Sequence, residues 1–248
     1  MVGSSDPPTA ATLAGTVLGR YRLERLLGEG GMGAVYAARH QDLGKPAAVK
    51  VLHERYDQSA QTRVRFLREG QAASRIRHPN VVDVYDVGSD GGRAYLVMEL
   101  LEGEDLRSLI EREAPLSAQR TADLLVPVIS ALAAAHDLGV VHRDLKPDNI
   151  FLSRERTTVT PKVLDFGISK VADEEKALPL TGTGTVLGTS YYMSPEQAQA
   201  SKNIDLRSDQ YSLGVILYEC ATGKRPLEET SIYALIQRIV RGDFAAPR

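Results

Sequence analysis

Apolar residues recur along this chain in two rhythms, and the change between them falls near Leu100 to Gly103. Before that point, short apolar runs alternate with turn residues. Tyr21 to Leu27 reads as a strand, Ala34 to Arg39 as a second, and Ala47 to Leu52, entered through the Lys45-Pro46 turn, as a third. Ser59 to Arg75 is dense in Arg, Gln, Glu and Ala, with Gly70 as its breaker, which predicts a helix. Val81 to Val87 and Arg93 to Glu99 flank the Gly91-Gly92 turn as two further strands. The expectation is a five-stranded antiparallel sheet with one helix. After Gly103 the pattern turns helical, at Leu106 to Glu113, Ser117 to Leu138, Ser208 to Thr222 and Ser231 to Arg241. Ser117 and Ser208 stand where N-caps belong, Gly139 and Gly223 where helices stop. Pro127 predicts a bend or a late start in the second of these helices. Residues 1–20, rich in Ser, Pro, Thr, Ala and Gly, read as a flexible leader. The fold class is α+β in two lobes, a small one over 21–101 and a mainly helical one over 102–248.

Composition narrows the field without choosing within it. The chain has 248 residues, near the size where one core stops growing, with 43% hydrophobic and 25% charged residues. A formal net charge of −2 gives no reason to expect nucleic acid or an anionic membrane as a main partner. The single cysteine, Cys220, allows no internal disulfide and reads as a small core residue, which fits a reducing cytoplasm. No run approaches the roughly 18 apolar residues of a membrane span, and Met1 to Thr12 lacks the pattern of a signal peptide.

Two stretches carry candidate chemistry. Gly28-Glu29-Gly30-Gly31-Met32-Gly33 fits G-x-G-x-x-G, which alone is weak because dinucleotide-binding folds use the same letters. Those folds open a helix at the third glycine and place an acidic residue about 20 positions on. Here Ala34-Val35-Tyr36-Ala37 reads as a strand, and Lys50 follows Gly33 by 17 residues within Ala48-Val49-Lys50. The second stretch is His142-Arg143-Asp144-Leu145-Lys146-Pro147-Asp148-Asn149, with Asp165-Phe166-Gly167 beginning sixteen residues later. It offers a candidate base (Asp144), a phosphate-directed cation (Lys146) and two oxygen ligands for a hard metal ion (Asn149 and Asp165). A bare Asp-Leu-Lys-Pro turn would be unremarkable on a protein surface; the two motifs at this separation are not.

Together these motifs resemble the protein kinase family in its Ser/Thr version, and Tyr192-Met193-Ser194-Pro195-Glu196-Gln197 is similar to the bacterial eukaryotic-like branch. The resemblance covers about Tyr21 to Arg248 and implies a bilobal kinase-like fold that transfers the γ-phosphoryl of Mg-ATP to Ser or Thr hydroxyls of proteins. On that resemblance, Leu27, Val35 and Ala48 sandwich the adenine, with Phe151 and Leu164 as its floor. Backbone groups of Glu99 to Leu101 bond its edge, and residues 28–33 cover the phosphates. Lys50 is steadied by Glu69, although a solvated helix glutamate is the bland alternative. Asp144 is the base, Lys146 neutralises the moving phosphoryl, and Asn149 and Asp165 hold Mg²⁺, with Mn²⁺ as the alternative ion. Asp209 braces the catalytic loop. Arg143 pairs with a phosphorylated residue in the loop that follows, where Thr181 and Thr183 match the modified pair and Thr189 marks Ser/Thr specificity. A merely flexible polar loop is the competing reading there.

His142 and Phe166 read as packing residues, and the other histidines show no metal-ligand spacing. The departure from the family is at the end, where a kinase lobe ordinarily continues and supplies an arginine to the glutamate of the Pro-Glu motif. Glu196 is therefore expected to lack that partner, with apolar surface uncovered and stability reduced. Three rivals remain: a nucleotide-binding scaffold without catalysis, a small-molecule phosphotransferase, and an adaptor with no feature in its favour. Whether two copies pair through their small lobes is left open.

Overall fold

The structure is a computed structural model in which residues 13–166, 190–201 and 203–246 are described. It has two compact units: Met1–Ser74 with Asp83–Leu101, and Arg75–Val82 with Glu102–Arg248.

The first unit is built on a six-stranded antiparallel sheet. Its elements are β1 (Val17–Leu18), β2 (Tyr21–Glu29), β3 (Gly33–His40), β4 (Pro46–Leu52), the short α1 (Glu54–Asp57), α2 (Ala60–Ala73), β5 (Val84–Asp90) and β6 (Arg93–Met98). The strand order is β1-β2-β3-β4-β6-β5. The expectation of five strands is corrected by β1, whose two residues pair with Tyr21 and Arg22. A two-residue strand is too short to leave an alternating pattern, so composition concealed it.

Side chains alternate between the two faces of a strand, so the register assigns each residue a side. Tyr36 pairs with Val49, Val49 with Val97, and Val51 with Tyr95, and these residues form one buried core with Leu18 and Leu23. Val35 pairs with Lys50, Lys50 with Leu96, and Ala48 with Met98, which puts Val35, Ala48 and Lys50 together on the opposite face. Helix α2 packs on that second face. A Cβ placed on Gly70 would come within 2.9 Å of Leu96 and Val87 side-chain carbons, so glycine is what lets the helix seat. The residue read as a breaker is thus a packing requirement, at a helix-propensity cost of about 1 kcal/mol relative to Ala. Ser59 caps α2 by accepting from the Thr62 amide at 3.3 Å.

The second unit contains β7 (Gly103–Asp105), α3 (Leu106–Glu113), α4 (Ala118–Asp137), a 3₁₀ turn (Pro147–Asn149), β8 (Ile150–Glu155), β9 (Thr158–Val163), the short α5 (Pro195–Ala198), α6 (Arg207–Thr222) and α7 (Ile232–Arg241). Three strands in the order β7-β8-β9 form a small sheet. Sequence reasoning missed its β8–β9 hairpin because Pro161 argues against a strand; Pro is tolerated here because β9 lies at the sheet edge. The expected strand start at Val81 is also corrected. Val81 makes only an isolated parallel bridge with Val163, and the strand begins at Val84. Residues 75–82 belong to this second unit, held by His78 Nε2 to Ser130 Oγ at 3.0 Å and by Asn80 Nδ2 to the Pro161 carbonyl at 2.8 Å.

Pro127 does not delay α4, which starts at Ala118 behind the Ser117 cap and runs through to Asp137. The buried face of Leu124, Leu125, Val128, Ala131, Leu132 and Ala135 outweighs the roughly 3 kcal/mol penalty of an internal proline. Gly139 and Gly223 both adopt the left-handed conformation expected of helix stops, at φ 73° and 70°. Ser208 is not a cap: α6 begins one residue before it, and its buried hydroxyl donates to Glu196 Oε1 at 2.7 Å. Among the described residues no helix is long and apolar enough to cross a membrane.

Candidate active site

In the sheet unit, the glycine loop joins β2 to β3. Its glycines differ in what they avoid. A Cβ on Gly33 would lie 2.2 Å from the Val51 carbonyl oxygen, so that glycine serves the contact with β4. Cβ atoms on Gly28 and Gly31 would meet nothing within 4 Å among the described residues. Their lack of a side chain keeps the backbone open on its outer side. Lys50 is half-buried on the face that carries Val35 and Ala48, and Glu69 is half-buried on α2, the helix that packs on that face. Leu27 is exposed, and Met98 is buried at the end of β6. Glu99 is locked to Asp83: its amide donates to the Asp83 carbonyl at 2.9 Å, and its Oε1 accepts the Asp83 amide at 2.8 Å.

In the helical unit, Asp144, Lys146 and Asn149 form one hydrogen-bonded set. Lys146 Nζ donates to Asp144 Oδ2 at 3.1 Å, and Asn149 Nδ2 donates to the Asp144 carbonyl at 2.7 Å and to Oδ2 at 3.3 Å. Both charged side chains keep about a fifth of their surface in solvent, so they are accessible and still oriented. With its nitrogen committed to Asp144, Asn149 has its carbonyl oxygen as the remaining donor toward a cation. The Leu164 amide donates to the Asn149 carbonyl at 2.9 Å, extending the β8–β9 ladder and setting Asp165 beside Asn149 at the same end of the hairpin. Asp165 is itself left-handed at φ 58°, a conformation Asp tolerates better than most residues. A carboxylate plus an amide oxygen is the sparse donor set magnesium uses when phosphates and waters complete its shell. Phe151 lies on β8 opposite Asp105 and Lys162. Thr181, Thr183 and Thr189 lie outside the described residues.

The catalytic loop hangs from Asp209 of α6, which is fully buried. Its Oδ2 accepts the His142 amide and its Oδ1 the Arg143 amide, each at 2.8 Å. Arg143 is held left-handed at φ 67° from both sides, since its carbonyl also accepts Gln197 Nε2 at 2.6 Å. A non-glycine residue in that region costs about 1–3 kcal/mol and persists only where its neighbours fix it. Sequence reasoning missed His136, whose Nε2 donates to Asp209 Oδ2 at 2.8 Å. By composition, a histidine near the end of an apolar helix looks like any surface histidine. His142 Nδ1 accepts the Asp144 amide at 3.3 Å, so its Nε2 carries the proton and donates to the Leu164 carbonyl at 2.7 Å. Its ring packs 5.0 Å from Phe166, as expected of packing residues.

The Pro-Glu segment is tied to α6 as well. Glu196 accepts a hydrogen bond from the Ser208 hydroxyl, which is not the arginine that the resemblance implies for it. Burial pushes its carboxyl up, but hydrogen bonds from Ser208 and Ser194 and its own amide outweigh burial and bring it below the usual range. Two residues ahead of Ser194, the Tyr192 hydroxyl donates to Glu219 Oε2 at 2.5 Å and accepts from Arg107, which also pairs with Glu219 Oε1 at 2.7 Å. Burial and the adjacent Glu219 carboxylate raise the Tyr192 hydroxyl well above its ordinary value, so it stays protonated.

The family description "Protein kinase domain" matches residues 21–245. The chain belongs to this family. It is similar to the serine/threonine-protein kinase pkn3 of Myxococcus xanthus, 45% identical over 91% of this chain and 42% of that protein. It is also similar to PknA of Mycobacterium tuberculosis, at 43% identity over 85% of this chain and 48% of that protein. The chain thus spans less than half the length of these relatives. The solved kinase domain of Mycobacterium tuberculosis PknI superposes with a TM-score of 0.69 at 27% identity, over 87% of this chain and 78% of that one.

Proposed function

We propose that this kinase domain transfers the γ-phosphoryl group of Mg-ATP to serine and threonine hydroxyls of proteins. The observation that carries the reading is the Asp144, Lys146 and Asn149 set, in which a carboxylate, an ammonium and an amide share hydrogen bonds within the helical unit while both charged side chains keep about a fifth of their surface in solvent. Asp144 orients the acceptor hydroxyl and takes its proton as the new O–P bond forms. The bond from the γ-phosphorus to the bridging oxygen breaks, its electron pair leaving with ADP. Lys146 stays beside Asp144 and neutralises charge on the transferring group. Asp165 and Asn149 hold the magnesium ion, which when bound screens the phosphate charge. In the sheet unit, Lys50, steadied by Glu69, addresses the inner phosphates, and Leu27, Val35 and Ala48 offer the adenine an apolar surface; in the helical unit, Phe151 and Leu164 offer it another. The Glu99 to Leu101 backbone bonds its edge.

The domain also phosphorylates its own loop at Thr181 or Thr183, with Arg143 as the receiving cation. Arg143 Nε is buried with no hydrogen-bond partner among the described residues, which suits a guanidinium awaiting an anion. ATP as the donor places the domain on the cytoplasmic side. The deciding measurement is phosphate incorporation into the protein and into a generic basic substrate, by mass spectrometry, for wild type beside Asp144→Asn. Wild type should label Thr181 or Thr183, and the variant should lose at least about a hundredfold in rate. Equal incorporation by both proteins sinks the assignment of the base.

A further inference from the structure

Three consecutive carbonyls in the glycine loop are each taken by a donor from His53, which joins β4 to α1, or from Arg55 in α1. His53 Nε2 lies 2.9 Å from the Gly30 oxygen, Arg55 Nη2 donates to the Gly31 oxygen at 2.7 Å, and the His53 amide donates to the Met32 oxygen at 2.9 Å. The second neighbour of His53 Nε2 is Glu29 Oε1 at 3.6 Å, also an acceptor, so Nε2 carries the proton. The Arg55 guanidinium is steadied over the Tyr56 ring, 4.9 Å from its centre.

A trans peptide is planar, and its C=O points opposite to the N–H of the next residue. Drawing the carbonyls of Gly30, Gly31 and Met32 toward one side therefore turns the amides of Gly31, Met32 and Gly33 toward the other. Successive amides on one side make a cradle for anionic oxygen. The Gly30 amide is not part of it, being spent on the Gly33 carbonyl at 2.9 Å. The open outer side of Gly31 keeps that cradle accessible.

We propose that His53 and Arg55 are positioning residues that latch the glycine loop in the conformation that receives the polyphosphate of a nucleotide. The proposal rests on the phosphotransfer reading above. The two side chains touch no phosphate. They act through the backbone, lowering the share of loop conformations whose amides point elsewhere. Their effect belongs to ligands that carry phosphates, and a bare nucleoside should not register it.

Calorimetric titration with Mg-ATP and with adenosine tests this on wild type, on the His53→Ala/Arg55→Ala double variant and on His53→Gln, whose amide reaches about as far as Nε2. Hydrogen exchange of the 28–33 peptide is followed without ligand. The double variant should bind Mg-ATP about tenfold more weakly, bind adenosine as wild type does, and exchange faster across the loop. His53→Gln should recover most of its share, and in turnover the KM for ATP should rise more than kcat falls. If Mg-ATP and adenosine affinities are both unchanged in the double variant, or fall together, the latch is refuted. A wild type that shows no preference for Mg-ATP over adenosine overturns the phosphotransfer reading instead. That case is recognisable because loop exchange would still respond to the substitutions.

Discussion

The catalytic loop and the glycine loop are both held by hydrogen bonds to main-chain atoms, yet their anchors differ in depth. Asp209 is fully buried and accepts two amides and a histidine. The anchors of the glycine loop are a His53 side chain 22% exposed to solvent and an exposed Arg55. Water can replace a shallow anchor at small cost, whereas removing a buried acceptor strands its donors. The loop that carries Asp144 is therefore fixed within its unit, which on the proposed function is the positioning a reacting group requires. On the proposed function, the glycine loop is held lightly enough to open for nucleotide exchange.

The strongest way to break this contrast is Asp209→Ala. It strands the His142 and Arg143 amides and His136 Nε2, and should cost about 3–5 kcal/mol in urea unfolding together with most of the activity. Retention of wild-type stability would mean that the catalytic loop hangs from something else. A smaller effect separates the glycines of the other loop. Gly33→Ala drives a Cβ against the Val51 carbonyl and should destabilise by about 1–3 kcal/mol, while Gly31→Ala should stay within about 0.5 kcal/mol in the same assay. Equal losses at the two positions would erase the distinction between a packing glycine and an open one.

The smallest expected effect concerns Asp57, at the end of α1 directly behind the latch. Burial raises its carboxyl above the ordinary 3.8, partly offset by the Ala94 amide, which lies 3.0 Å from Oδ2, and by Arg63 and Arg93. A raised carboxyl favours the folded state fully below the unfolded value near 3.8, and that contribution is lost as pH rises through the folded value. Asp57→Asn removes this titration. Its stability relative to wild type, by denaturant titration across this range, should rise with pH and then level off. A difference that stays constant with pH, or runs the other way, would count against it.

What could be read from the chain alone was local. Strands β2 to β4 and helices α2, α3, α4 and α7 appear where their periodicity and caps put them, because side-chain alternation and turn chemistry act over a few residues. Asp144, Lys146 and Asn149 are near neighbours in sequence, so their grouping needed little from the fold. The β8–β9 hairpin escaped because its edge position, which excuses Pro161, is a property of the assembled sheet. Ser208 looks like a cap in the sequence because its hydroxyl suits either role, and only the approach of Glu196 chooses between them.

The amino-acid order by itself determined the family, the succession of short strands and amphipathic helices, and the kinds of side chain available for phosphoryl transfer. Tertiary structure decided which distant groups hold those side chains: Asp209 with His136, His53 and Arg55 with the glycine carbonyls, and Gly70 beneath Leu96. Periodicity reports the face a residue presents. The atom it meets across that face depends on packing between segments tens of residues apart, where burial, and not propensity, sets the energy.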